Sequence, residues 1–193
     1  HKDSVSSWTW PGYEGRPAVV DIYADAEEVE LFLNGHSLGK KPAGEQNEFT
    51  ATYELVYEPG ELIAVSYEAG IETGRYSLNT ASEKIQLCAE ADKKVLCADG
   101  EDLSFIIVKL VDENGTENLF VPKKVAVSVE GAGRLEAFGS ADPQSLSSYG
   151  DTEWDTYDGH VMAVVRSGME SGKIKVVFTS EGCKDICVEI EVR

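Results

Sequence analysis

Apolar and polar residues alternate with period two through most of this chain, in short runs broken by Gly, Asn, Asp and Pro. Such runs, rich in β-branched and aromatic residues, predict strands joined by tight turns. In the first half they predict strands at Ala18–Ala24, Glu28–Leu33, His36–Lys41, Phe49–Leu55, Leu62–Glu68 and Glu72–Leu78. The plainest signal runs from Val29 to Gly39, where Asn34-Gly35 supplies two residues that tolerate positive φ, as a two-residue type I′ hairpin requires. Folding about that turn predicts Leu31 opposite Leu38 and Glu28 opposite Lys41, so that apolar meets apolar and acid meets base. Glu58-Pro59-Gly60-Glu61 and Glu68-Ala69-Gly70 carry further turn chemistry. No window has a helical period.

A second set of strands is predicted beyond Asn79-Thr80-Ala81-Ser82. Ile85–Ala91 alternates, and Leu103–Val111 is a nearly continuous apolar run, as expected of a central strand buried on both faces. Lys124–Glu130 sets Val125, Val127 and Val129 on one face; Arg134–Phe138, Val161–Arg166, Lys173–Thr179 and Ile186–Val192 complete the set. The pattern predicts an all-β chain of two tandem immunoglobulin-like β-sandwich domains, over 1–80 and 81–193. One stretch departs from it. From Gly139 to Gly159 the chain is polar and aromatic, long for a connection inside a sandwich, and is expected to be either functional or mobile.

Composition narrows the classes of partner. With 193 residues, 42% of them apolar, the chain is long enough for two ordinary cores. The net charge is −18, divided evenly: 14 acidic and 5 basic residues up to Thr80, 21 and 12 after it. With no basic stripe to neutralise phosphates, nucleic acid and anionic membrane are not expected as partners. No apolar run is long enough for a helix to span a bilayer. The chain starts at His1-Lys2-Asp3, without methionine, and is read as a piece of a longer polypeptide. Cys88, Cys97, Cys183 and Cys187 fit no C-x-x-C metal or redox spacing. A hairpin at Asp92-Lys93 would bring Cys88 to Cys97, but free thiols are the expectation in a domain that has a core. That usage leans towards the cytoplasm and leaves secretion or a periplasmic location open.

Three stretches together resemble the module that follows the catalytic barrel in many bacterial family 2 glycoside hydrolases, β-galactosidase-like enzymes with some β-glucuronidases among them. They are Trp8-Thr9-Trp10-Pro11-Gly12-Tyr13-Glu14-Gly15, Val29–Gly35 with Ser37-Leu38-Gly39, and Tyr57-Glu58-Pro59-Gly60-Glu61-Leu62-Ile63-Ala64-Val65. The second half, with Ala98–Leu103, Asp112–Gly115 and Gly139-Ser140-Ala141-Asp142-Pro143, resembles the terminal immunoglobulin-like module of the same enzymes. The resemblance implies a non-catalytic region that supports the catalytic barrel of the same polypeptide or shapes its substrate entrance. It brings no catalytic residue, since the two glutamates that act in such enzymes belong to a barrel expected upstream of His1. No cofactor or metal is implied.

The candidate site residues are aromatic. Trp8, Trp10 and Tyr13 are candidates for packing against the barrel, with sugar stacking or capping of the first sandwich as alternatives. Tyr149, Trp154 and Tyr157 are candidates for binding an oligosaccharide, since a flat ring suits a pyranose face and nearby carboxylates accept hydroxyl hydrogens. Asp151, Glu153, Asp155 and Asp158 imitate the start of a calcium loop, but Thr156 and Met162 stand where an EF-hand needs its glycine and its bidentate glutamate. A solvated acidic loop is the alternative. His36 and His160 have no nucleophile at a suggestive spacing and are read as surface residues. Two other functional classes stand beside the leading one: a carbohydrate-binding module, and a surface stalk or adhesion tandem.

Overall fold

The Asn34-Gly35 turn closes as its sequence requires, with φ of 50° and 80° at the two residues. It joins β2 (Glu28–Leu33) to β3 (His36–Pro42) in a computed structural model that describes residues 6–140, 142 and 148–193. The chain divides into two units, the first ending at Ala81 and the second starting at Ser82.

The first unit is completed by β1 (Pro17–Tyr23), β4 (Thr50–Val56), β5 (Glu61–Glu68) and β6 (Ile71–Asn79), with a short 3₁₀ turn at Glu45–Asn47. Strands β1 and β4 form a two-stranded antiparallel sheet; β3-β2-β5-β6 form a four-stranded one. Their inner faces enclose Trp8, Ala18, Val29, Leu31, Leu33, Ala51, Tyr53, Tyr57 and Leu62. The alternation along β2 and β4 sets these residues inward and polar neighbours outward.

The hairpin register departs from the expectation beyond its first two pairs. Leu33 faces His36 and Phe32 faces Ser37, but a bulge follows, so that Glu28 lies opposite Pro42 and Val29 opposite Lys41. The bulge has a local and a tertiary side: Gly39 stands at φ 90°, and a side chain from another strand bonds its carbonyl. The Tyr53 hydroxyl, on β4, reaches the carbonyl oxygens of both Val29 and Gly39 at 2.9 Å, which holds the Gly39 carbonyl inward. Glu28 is instead 4.0 Å from Lys40, and Lys41 donates to the Thr52 carbonyl at 2.6 Å.

The second unit comprises β7 (Gln86–Ala91), β8 (Val95–Leu96), β9 (Leu103–Val111), β10 (Lys124–Gly131), β11 (Gly133–Gly139), β12 (Glu153–Asp155), β13 (His160–Ser167), β14 (Gly172–Thr179) and β15 (Ile186–Val192). They form two sheets, ordered β12-β10-β14-β15-β8 and β11-β13-β9-β7, antiparallel except where β8 lies parallel to β15. Both units are immunoglobulin-like sandwiches, and no α-helix occurs among the described residues. Ile106, Val108, Val125, Phe138, Val165, Ile174, Val176, Phe178 and Ile190 fill the core between the sheets.

Two expectations in this unit are corrected. Strand β9 lies centrally in its sheet, but it is buried on one face only: Ile106, Val108 and Leu110 point inward, while Phe105 and Ile107 are exposed. Its apolar run reflects β-propensity on the outer face as well as burial on the inner. The hairpin at Asp92-Lys93 does not form, because the chain leaves β7 in one sheet and enters β8 in the other. Cys88, Cys97 and Cys187 are exposed and Cys183 is half-buried, all as free thiols.

Asn34 also ties its turn to the next. Its side chain donates to the Pro59 carbonyl at 3.1 Å and accepts from the Glu61 backbone at 2.8 Å. Gly60 sits beneath it at φ 132°, where an added Cβ would fall 1.9 Å from the Asn34 Oδ1. Gly60→Ala is therefore expected to destabilise the first unit by about 2 kcal/mol or more. Gly12→Ala, at a positive φ but facing open space, is expected to cost about 1 kcal/mol. Denaturant unfolding of both variants compares the two costs.

Candidate functional site

The aromatic segment before β1 is built around a residue that lies outside it. Tyr57, just after β4, is buried with its ring centroid 4.9 Å from Trp8 in an edge contact and 5.7 Å from Trp10 in a stack. Its hydroxyl donates to the Trp8 carbonyl at 3.2 Å and accepts from the Trp10 backbone N–H at 3.1 Å. Thr80 Oγ1 donates to the same Trp8 carbonyl at 2.6 Å, and Thr9 Oγ1 accepts from the Ala81 backbone at 2.8 Å. The segment is thus stapled to the end of β6.

Trp8, Trp10 and Tyr13 grade from inside to outside. Trp8 is 2% exposed and donates its indole N–H to the Glu58 carbonyl at 3.0 Å. Trp10 is half-buried, and its indole N–H has no acceptor among the described residues. Tyr13 is exposed, edge-on to Trp10 at 6.3 Å, with the Arg16 guanidinium 5.0 Å from its ring. Trp8 therefore belongs to the core, and only Trp10 and Tyr13 offer surface to a partner.

The three loop aromatics of the second unit part company in the same way. Glu153–Asp155 forms β12 and pairs with β10, so the alternation sends Trp154 inward and leaves Glu153 and Asp155 outside. Trp154 is 3% exposed, packs in the core and donates to Ser140 Oγ at 2.8 Å. That burial leaves it no open face for a sugar. Tyr149 covers it instead, stacked at 5.3 Å and 12° between planes, and is itself 63% exposed. Gly139 makes room for this ring, since a Cβ there would lie 2.7 Å from it. Tyr157 pairs with His160 through two backbone hydrogen bonds and does not join the stack. Within the long connection, Ala141 and Pro143 lie outside the described residues, as do His1, Lys2 and Asp3 at the start.

The acidic residues nearby do not converge. Asp151 Oδ2 accepts from the Ser148 backbone at 2.9 Å, closing its own turn. Among the described residues no group of three or more His, Cys, Asp or Glu side chains is placed to hold a metal ion. His36 is exposed on β3, while His160 is half-buried with Nε2 3.5 Å from Glu117, which also pairs with Lys109.

Asp112 is the one acidic residue among those described that is buried. Burial works to raise its pKa, but its carboxylate accepts from the backbone N–H groups of Ser82, Asn114 and Thr116 at 2.8–3.0 Å. These donors prevail and hold it below the ordinary carboxylate value.

The fold defines a class, a tandem of immunoglobulin-like β-sandwiches, and comparison places it further. The family model described as "Glycoside hydrolase family 2 C-terminal domain 5" matches residues 87–189, and that of a "Domain of unknown function (DUF4982)" matches 15–74. The first match spans more than half of the chain, which therefore belongs to the C-terminal domains of glycoside hydrolase family 2. The β-galactosidase BoGH2A of Bacteroides ovatus is 30% identical over 187 residues, covering 95% of this chain and 21% of that protein. A putative β-glucuronidase of Formosa agariphila is 45% identical over 82 residues, 42% of this chain and 8% of that one. The crystal structure of a family 2 glycosyl hydrolase from Bacteroides cellulosilyticus superposes with a TM-score of 0.94 at 38% identity, over 98% of this chain and 24% of that one. The chain thus spans about a fifth or less of the curated relatives described.

Tyr57→Phe removes both hydroxyl bonds of the aromatic cluster and is expected to lower the stability of the first unit by about 1–2 kcal/mol, read by denaturant unfolding. Asp112 generates a pH dependence. Its folded pKa is depressed, so its contribution to the second unit is complete above the ordinary value of 3.8 and is lost as pH falls through the lower folded value. Asp112→Asn is expected to flatten that acid limb in a pH series of thermal midpoints.

Proposed function

We propose that this chain is a non-catalytic region of a β-galactosidase- or β-glucuronidase-type hydrolase, which supports the catalytic barrel of the same polypeptide or shapes its substrate entrance. The observation that carries this reading is the graded aromatic cluster. Tyr57 and Trp8 anchor from the core two rings, Trp10 and Tyr13, that stand at the surface in a fixed geometry. Rigid, partly exposed aromatics are what an interface between domains uses for area and orientation. The relatives named for β-galactosidase and β-glucuronidase activity supply the substrate class of the proposal.

A second reading has one observation in its favour. Tyr149 is exposed yet held flat against Trp154, a pre-ordered face of the kind that stacks on a pyranose. In it Tyr149 alone of the three loop aromatics meets the sugar.

Kinetics and melting of the full-length polypeptide separate the two. In the first reading, Tyr13→Ala with Trp10→Ala lowers the thermal midpoint of the barrel and its kcat/KM on nitrophenyl galactoside or glucuronide, while Tyr149→Ala changes neither. In the second, Tyr149→Ala weakens oligosaccharide binding, and quenching of Trp154 fluorescence by sugar is lost. Unchanged activity and melting in the double variant would refute the first.

A further inference from the structure

The stretch Trp10-Pro11-Gly12-Tyr13-Glu14-Gly15-Arg16 folds as two successive turns that share Tyr13. The Tyr13 N–H donates to the Trp10 carbonyl at 3.2 Å, and the Arg16 N–H to the Tyr13 carbonyl at 3.0 Å. Each turn carries a glycine at its third position, Gly12 at φ 80° and Gly15 at φ 77°. Pro11 before the first of these makes that turn type II, and the second repeats its positive φ. Residues 10, 13 and 16 are thereby brought into side-chain contact. The Trp10 and Tyr13 ring centroids are 6.3 Å apart, and the Arg16 guanidinium lies over the Tyr13 ring at 5.0 Å. The Arg16 backbone is pinned in turn: its carbonyl accepts from the Tyr57 N–H at 2.8 Å, and the Gly15 N–H donates to the Tyr57 carbonyl at 3.0 Å.

Arg16 is exposed, and its charge is used differently from those of the other cations described in this unit. Lys40 lies 4.0 Å from Glu28, and Arg75 donates twice to Glu72, at 3.0 and 3.1 Å. Lys41 donates to the Thr52 carbonyl. The Arg16 guanidinium meets the Tyr13 ring and, among the described residues, no carboxylate. Yet the chain up to Thr80 holds 14 acidic residues against 5 basic ones. Glu14, two positions away, accepts instead from the Gly12 N–H at 3.3 Å. A guanidinium resting on a ring still presents N–H donors, in a fork that matches a carboxylate. The ring contact holds that fork in place and lowers the entropic cost of engaging it.

We propose that Arg16 is the charged anchor of the surface formed by Trp10 and Tyr13. Its partner is an aspartate or glutamate carboxylate, carried by the part of the parent polypeptide outside these 193 residues. The proposal rests on the reading of Trp10 and Tyr13 as an interface with the catalytic barrel. Charge complementarity selects a carboxylate, because the guanidinium fork is exposed and has no acid of its own. Residue type selects a protein as its carrier, since Trp, Tyr and Arg are those in which the hot spots of protein interfaces are enriched. The relatives that match nearly all of this chain are four to five times its length, which leaves ample chain to supply the acid. A second copy is the poorer partner, since each copy carries a net charge of −18 and the two repel.

Carbodiimide coupling on the full-length polypeptide tests it. Arg16→Lys keeps the charge and supplies an amine, which the reagent joins to a carboxylate in contact with it. An amide bond forms between the side-chain nitrogen and the carboxyl carbon, and the carbodiimide takes up the water as a urea. Peptide mapping by mass spectrometry locates the link. A link from position 16 to an Asp or Glu outside residues 1–193 supports the proposal. A link to a carboxylate within residues 1–193, to a second copy or to added glucuronate refutes it. Arg16→Gln supplies the second measurement, and is expected to lower the thermal midpoint of the barrel by about 2 °C or more. Arg75→Gln, which loses only the exposed pair with Glu72, is expected to leave that midpoint where it is. An unchanged midpoint in Arg16→Gln, with no link from position 16, would overturn the proposal. If the Trp10 and Tyr13 variants weaken the barrel while Arg16→Gln does not, the anchor fails and the functional reading stands. If position 16 links outside these residues while the aromatic variants leave the barrel unaffected, the functional reading fails and the Arg16 contact stands.

Discussion

A β-strand divides its side chains between two faces, and both units of this protein depend on keeping one of those faces apolar. Val29, Leu31 and Leu33 on β2, like Ile174, Val176 and Phe178 on β14, satisfy it position by position. Burial of these residues supplies the main driving force for folding, and any slip of one residue would turn a whole inward set to water. The sheets, their spacing and the surfaces left for partners all follow from that alternation.

At two points in the first unit a side chain from elsewhere in the fold holds an interrupted or turning backbone. The bulge in β3 answers to the Tyr53 hydroxyl, and the turn before β5 answers to the Asn34 side chain. Likewise the segment from Ser7 to Trp10 has no strand partner among the described residues, yet is held by Tyr57 and Thr80. These contacts carry the functional argument, because they fix aromatic rings at the surface without burying them. A ring held from behind meets a partner at little further entropic cost.

The same logic separates the two aromatic trios. In each, one tryptophan is drawn fully inside and a neighbour is left outside, stacked on it or linked to it through an intermediate ring. Trp8 and Trp154 are thus foundations, while Tyr13 and Tyr149 are the faces offered outward.

Local pattern was enough to place most of this architecture. Glu28–Leu33, Leu103–Val111 and Ile186–Val192 have the same bounds in sequence pattern and structure, because period-two alternation bounded by turn residues is a property of neighbouring positions. The two-residue β8 and three-residue β12 carry too few positions to show a period, and they exist because β15 and β10 offer edges to pair with. The aromatic candidates were legible as residue types at the right places along the chain. Which of them faces water was not, since pairing with the distant strand β10 turns Trp154 inward, while Tyr149 is held from β11 through the Phe138 amide. Tyr57 as the hub of the first cluster lay beyond local reading, 47 residues from Trp10. Burial and pairing are sums over contacts between remote positions, and only the folded chain decides them.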